Sequence, residues 1–452
     1  MNSAHIQRRE RPPKSFIDTQ MFFPYNNVLE QASTMNMGKD KQFMRTFLQK
    51  ELSEWNGNIK NDILGGCVSA FSVIPEVIGF TIVAGVDPIL GLYTSIAFLI
   101  LMSFLGGRPA MVSAGAGSMA VVVVTLIRDY GLPYLFAAVL LAGILQFILG
   151  LCRIGNLLKF VPNSVIAGFV DALAIIIFKS QVQNCWSNMG STTAGKIQLF
   201  AYIALGLLVI YLFPRVTKAV PSTLVSIVVV TLVCIAAGLL FGGNDVAMIG
   251  DLGNLKAVWP TVQLPQAPLS FETIKIILPY GISLAFVGLL ETMLTARVVD
   301  GMTNTQSSKN RECCAQGAGN VVCGLIGAMP GCAMIGQAIA NVESGGRGRL
   351  STLVSGVLLA CLLGIGSTVL GAIPLAALIA VMVYVSITTF DWKNLVGMVK
   401  NRDLKSVLES IATIVTVAVV VATSNLAYGV AAGLALSAIF WLLTRSRQKA
   451  AR

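Results

Sequence analysis

The chain has 452 residues, of which 55% are hydrophobic and 12% charged, and it carries a net charge of +11. Soluble domains carry roughly 25% charge, so this composition excludes an ordinary soluble protein, and the positive balance points to loops that resist translocation rather than to nucleic acid. His5, the sole histidine, stands in the N-terminal tail, which excludes His-based metal sites and Ser/His or Cys/His catalytic pairs from the apolar body.

Residues 1–61 are polar and open with Arg8, Arg9, Arg11 and Lys14 beside Pro12 and Pro13. No apolar region with a small-residue cleavage site follows, so the tail is expected to stay cytoplasmic. Within it, 43–55 fits either a short amphipathic helix on the membrane surface or a solvated linker helix. Apolar runs then follow at 63–84, 88–106, 110–127, 133–152, 163–182, 198–214, 222–242, 272–296, 314–329, 332–342, 351–371, 373–389, 406–424 and 426–444. A span needs about 20 apolar residues, so about fourteen transmembrane helices are predicted in an all-α polytopic membrane protein. The runs at 110 and 332 are short or broken and follow Gly106-Gly107-Arg108-Pro109 and Gly327-Ala328-Met329-Pro330-Gly331. The nine cysteines lie mostly inside apolar runs, without CxxC pairs, and read as core thiols.

With the N-terminus inside and every run crossing, the cytoplasmic side holds 27 Lys/Arg and the outside five: Arg128, Lys179, Lys196, Lys256 and Lys275. This is the asymmetry of the positive-inside rule, and it places both termini in the cytoplasm at an inner or plasma membrane. The two broken runs are each third in a group of seven. An odd repeat inserts its second copy upside down, so the chain reads as two inverted 7-helix repeats, the plan of secondary transporters. Paired discontinuous helices then aim their N-terminal N–H groups, roughly +0.5 charge each, at one point near the midplane. Two such ends make an anion site.

An acidic side chain inside a span costs about 2.5 to 3.5 kcal/mol on insertion scales, so Glu76, Asp171 and Glu291 need a role or a partner. The bland alternative is a satisfied hydrogen bond between packed helices. Thr295 stands one helical turn beyond Glu291, so the pair fits a Na⁺ site, or Glu291 alone a proton carrier. Arg297 and Asp300 read as interfacial. Ser113 to Ser118 are all small, which lets backbone approach a ligand or another helix, and the matching break at Cys332–Gln337 in the other half tips the reading toward a ligand. Ser344-Gly345-Gly346-Arg347-Gly348-Arg349-Leu350 reads as a basic turn whose work is topological, since the Lys-Ser/Thr of a P-loop is missing.

Four motifs in order, 74–95 (IPEVIGFTIVAGVDPILGLYTS), 106–124 (GGRPAMVSAGAGSMAVVVV), 161–175 (VPNSVIAGFVDALAI) and 341–356 (NVESGGRGRLSTLVSG), resemble the SulP sulfate permease family of inorganic anion transporters. The resemblance runs from about Trp55 to Leu443. It implies core and gate domains, with the anion between the third and tenth helices and help from the first and eighth. Carried over by position, the substrate site comprises Glu76, Ala116, Gly117, Ser118, Ala333, Met334 and Ile335. Glu291 and Thr295 become the cation-coupling pair, and a metal site only where the ion is Na⁺.

The chain departs from that family in three places. Gln337 stands where some members have arginine, which leaves positive potential mainly to the helix ends. Asp171 replaces an expected amide. Most members carry a cytoplasmic STAS domain after the last helix, whereas Thr444 to Arg452 follow it here, so STAS-based regulation and dimer contacts are not carried over.

The domains expected are therefore a tail over 1–61, a transport domain over 62–444 with repeats near 62–242 and 271–444, and a short C-terminus over 445–452 without STAS. The function expected is H⁺- or Na⁺-coupled symport of a small inorganic anion by elevator or rocking motion, with sulfate first and bicarbonate or a small dicarboxylate second. A passive anion channel or exchanger shares the scaffold, and a nucleobase:cation symporter shares the inverted fold. Catalytic residues and bound cofactors are not expected, H⁺ or Na⁺ being cargo, and an enzyme is disfavoured. The expected partners are the anion and the lipid bilayer; a homodimer stays open.

Overall fold

The computed structural model describes residues 51–156, 162–187, 192–217, 221–241, 245–251, 260–268, 270–392, 395–396, 404–423 and 426–450. Residues 1–50, which include most of the 43–55 segment and of the N-terminal tail, lie outside the described residues. The fold discussed below belongs to the unit Glu54–Arg452.

Fourteen α-helices are described: α1 Ile59–Ala84, α2 Pro88–Leu105, α3 Gly117–Tyr130, α4 Leu132–Leu151, α5 Asn163–Ser187, α6 Thr193–Leu212 and α7 Ser222–Phe241, then α8 Phe271–Thr303, α9 Lys309–Leu325, α10 Ile335–Glu343, α11 Arg349–Gly371, α12 Leu375–Thr389, α13 Leu404–Thr423 and α14 Leu426–Ala450. They follow the fourteen apolar runs in order, with α1 starting earlier and α8 running on to Thr303. Eight of them, α1, α2, α4 to α8 and α13, are long and apolar enough to cross a membrane, and α11, α12 and α14 contain shorter apolar stretches. Mean runs of apolar residues thus become helices, because lipid offers no partner for backbone polar groups and a helix satisfies them within itself.

The two broken runs are strand and helix in series. Ser113–Gly115 (β1) precedes α3, and Gly331–Ala333 (β2) precedes α10. The strands pair antiparallel, with Ser113 opposite Ala333, Ala114 opposite Cys332 and Gly115 opposite Gly331. At about 1.5 Å per residue, α3 with 14 residues and α10 with nine are each shorter than the roughly 30 Å hydrocarbon core. The extended stretch before each supplies the rest of the path.

The helices pack in two groups. In the first, α4 packs on α9 and α8, α11 on α1 and α2, and α1 on α10 and α3. In the second, α5 packs on α12 and α13, α6 on α7 and α12, and α14 on α13. The α4–α9 contact is close: a Cβ on Gly143 would lie 2.7 Å from the Gly317 carbonyl oxygen, and one on Gly317 would lie 2.4 Å from the Phe147 nitrogen. Backbones meet there directly, which is how small residues hold membrane helices together.

One end of the first group is polar and buried. The Glu312 carboxylate accepts the N–H groups of Gly107 at 2.7 Å and Arg108 at 3.1 Å. Arg108 pairs with Asp300 at 3.4 Å and donates to the Val299 carbonyl, Thr303 and Thr305. Burial pulls the Arg108 guanidinium below its ordinary value, and Asp300, Glu54 and Glu312 draw it back. Asp300, expected at an interface, is held between Arg108 and Lys309.

The glycine turn expected to serve topology alone is also structural. The Asp62 carboxylate accepts the N–H groups of Arg347 and Gly348 at 2.7 and 3.0 Å. Arg349 is buried, bonded to Glu54 at 2.8 Å and to the Ser103 and Gly106 carbonyls that end α2. A guanidinium at a helix C-terminus meets orphan carbonyls with a favourable dipole.

The cysteine expectation holds for Cys234, Cys313, Cys323 and Cys332, which are buried, whereas Cys152 and Cys361 are exposed. An apolar run in a membrane protein faces lipid as well as core, so hydropathy does not separate the two.

Because Glu312 is buried and holds two backbone donors, Glu312→Leu is expected to lower stability by about 3 to 6 kcal/mol, at 1.5 to 3 kcal/mol per charged hydrogen bond. Thermal unfolding in detergent checks this.

Candidate functional site

The site is built on the two breaks. Helices α2, α6 and α8 begin with side-chain caps: Asp87 accepts from Ile89 N–H, Thr192 from Gly195 N–H and Ser270 from Thr273 N–H. The starts of α3 and α10, at Ala116 and Met334, have no side-chain cap, and neither do those of α1, α4, α9 and α12. The backbone donors at Ala120 and Ala338 are the ones that close onto these cap carbonyls, at 2.9 and 3.1 Å. Gly117, Ser118, Ile335 and Gly336 lie in the first turns of the two helices, ahead of those donors. The N–H groups of a first turn have no intrahelical acceptor and carry the positive end of the dipole.

Ala116 and Met334 are buried, so these starts lie inside the protein and not at its surface. The antiparallel β1–β2 pair holds them in register, and the Met334 N–H continues the pairing to the Val112 carbonyl at 2.9 Å. Beside α10 the space is open: Gly336 is exposed, and a Cβ there would meet nothing within 4 Å. Beside α3 it is closed by Phe80, whose ring would lie 2.5 Å from a Cβ on Gly117.

Two carboxylates face this region from different helices. Glu76 of α1 is half-buried, with Gln337 of α10 beside it. Glu291 of α8 accepts the Ser118 hydroxyl, and the Cys332 thiol at 3.2 Å, on the same oxygen, Oε2. One side chain therefore touches the start of α3 and the strand before α10.

Thr295 stands one turn beyond Glu291 on α8. Its hydroxyl donates to the Glu291 backbone carbonyl at 2.9 Å and lies 3.4 Å from the Ala333 carbonyl. The Ala333 N–H is met by the Thr292 hydroxyl at 3.3 Å.

Asp171 lies away from these groups. It accepts the Asp391 N–H at 2.8 Å in the second helix group, a satisfied contact between packed elements. Cys332, read from the sequence as a core thiol, is the residue missed, and its place just after the second Gly/Pro cluster was the available signal. A site of uncapped helix starts, with carboxylates at its edge, suits a small anion accompanied by a cation.

A family model described as the Sulfate permease family matches residues 59–413. The chain belongs to the sulfate permease family. It is 48% identical over 400 residues to the provisionally named sulfate transporter YbaR of Bacillus subtilis, covering 88% of this chain and 80% of that protein. It is 29% identical over 368 residues to the bicarbonate transporter BicA of Picosynechococcus, covering 75% of this chain and 63% of that one. Among solved structures, the transmembrane domain of a cyanobacterial BicA matches with a TM-score of 0.70 at 24% identity, covering 81% of this chain and 96% of that one. SLC26A9 matches with a TM-score of 0.74 at 18% identity, covering 96% and 73%. These two likenesses concern the fold, and they agree with the inverted all-α membrane architecture. The sulfate permease chain is thus a multi-pass membrane anion transporter, and its relatives are transporters rather than enzymes.

Proposed function

We propose that this chain is a secondary active transporter of a small inorganic oxyanion, coupled to H⁺ or Na⁺ through Glu291. The observation that carries the reading is the pair of buried helix starts without side-chain caps, fixed face to face by β1 and β2. Preorganised N–H donors of this kind bind an anion without reorganisation, and a nearby carboxylate then favours a cation entering with it. Glu76, Ala116, Gly117, Ser118, Ala333, Met334 and Ile335 surround the anion; Glu291 and Thr295 serve the cation. The core helices, α1 to α4 and α8 to α11, move against the remaining six in alternating access. The Lys/Arg distribution places both termini in the cytoplasm at an inner or plasma membrane.

Sulfate is the first candidate, on the similarity to YbaR. Bicarbonate is the second, and one feature favours it: the buried residue on α10 beside Glu76 is the neutral Gln337. Two helix ends of roughly +0.5 each balance one negative charge more fully than two.

Uptake into proteoliposomes of labelled sulfate, bicarbonate, succinate and uracil, at two pH values and with or without Na⁺, tests the reading. Saturable, gradient-dependent uptake of an oxyanion is expected. Uptake of uracil alone would end the anion claim, and oxyanion flux indifferent to both gradients would indicate a channel or exchanger.

A further inference from the structure

We infer that Gln316 and Asn320 are positioning residues that set the separation of the two anion-facing helix starts. The inference rests on the anion-transport reading above and concerns side chains outside the proposed site.

Glu312, Gln316 and Asn320 recur every fourth residue on α9, so they stack on one helical face. All three are buried, at 1%, 0% and 0% exposure. The Gln316 amide donates to the Ser113 hydroxyl in β1 at 2.8 Å. The Asn320 amide takes both polar groups of Gly331 in β2: its oxygen accepts the N–H at 3.0 Å and its nitrogen donates to the C=O at 2.9 Å. A single helix therefore grips both strands at points separated by its own rise, about 6 Å for four residues.

The grip is itself fixed. Asn320 also donates to Gln146 of α4 at 2.8 Å, on the helix whose glycines pack directly against α9. A second helix, α2, does the same work with hydroxyls. Ser95 accepts the Gly115 N–H of β1 at 3.3 Å, and Thr94 donates at 2.6 Å to the Met329 carbonyl just before β2. Each helix thus reaches the broken segment of its own repeat and that of the other. Strand and helix are joined by a single residue on each side, Ala116 and Met334, so a displaced strand displaces the N–H donors behind it.

Chemistry explains why an amide stands at Asn320. Gly331 presents a donor and an acceptor together where water is scarce, and leaving either unmade is costly. An amide side chain supplies both partners from one planar group without needing a proton from solution.

The test uses the full chain in proteoliposomes and whichever of sulfate and bicarbonate the wild type takes up. Asn320→Leu is expected to raise KM about tenfold while the maximal rate stays within about twofold, the pattern of weakened ground-state binding. Asn320→Asp, which keeps the acceptor and loses the donor, is expected to fall between. Hydrogen exchange is expected to rise over Gly331–Gln337 and to stay unchanged in α5. A folded Asn320→Leu protein with KM within twofold of wild type overturns the inference. Should that variant fail to fold, Gln316→Leu and Ser95→Ala each remove one strand contact, and an unchanged KM in both overturns it equally. A wild type that transports no oxyanion removes the anion reading instead; unchanged exchange over Gly331–Gln337 in the variant would then remove the positioning role as well, and faster exchange would support it.

Discussion

Glu291→Gln is expected to reduce gradient-driven uptake at least about 100-fold, a loss of roughly 2.7 kcal/mol, and to leave the residual flux indifferent to proton and Na⁺ gradients. The two groups that donate to Glu291, the Ser118 hydroxyl and the Cys332 thiol, converge on one carboxylate oxygen. An amide oxygen can accept both, so the substitution spares the contacts that join α8 to α3 and β2. What it removes is the negative charge, and with it the capacity to take up a proton or hold a sodium ion in a region of low dielectric. Uptake measured with each gradient imposed separately, alongside thermal unfolding, separates coupling from folding. Gradient dependence that survives in the variant would take Glu291 out of the mechanism.

Gly336→Leu is expected to abolish anion uptake with no loss of thermal stability. Gly336 stands in the first turn of α10, is exposed, and has nothing within 4 Å of where a Cβ would sit. A side chain there fills free space in front of the helix start and shields the donors from an incoming anion. Glycine inside a helix costs roughly 0.5 to 1 kcal/mol relative to alanine, so the melting temperature should hold or rise. Gly117→Ala provides the contrast. Its Cβ would lie 2.5 Å from the Phe80 ring, and overpacking of that kind costs about 1 to 3 kcal/mol. Both variants lose uptake, and only the second loses stability. Undiminished uptake by Gly336→Leu would show that the anion approaches elsewhere.

Parts of the site were legible in the chain itself. The Gly/Pro clusters before Ala110 and Cys332 announced two interrupted runs, and these became β1–α3 and β2–α10. Glu76 and Glu291 stood out because charge in an apolar run is costly wherever the run folds. Other features were invisible to the same reasoning. Cys332 looked like any thiol in an apolar stretch until β2 turned it toward Glu291. The hydrogen bonds of Thr295, to the Glu291 and Ala333 carbonyls, were not readable either, because side-chain rotamer is settled by neighbours and not by spacing. The Ser344–Leu350 turn read as a topological signal, yet its Arg349 is buried against the end of α2.

What the sequence determined by itself is everything that depends on distance along the chain: the number and order of the helices, where two of them break, and the upside-down insertion of an odd repeat. Lipid imposes those rules segment by segment, through length and the need to satisfy each backbone group locally. Which groups face one another was decided only by the tertiary structure. Ser113 and Gln316 are 203 residues apart, and Ser118 and Glu291 are 173 apart. Contacts of that reach follow from how whole helices pack, where shape and hydrogen-bond complementarity act between elements whose own sequences carry no record of their partner.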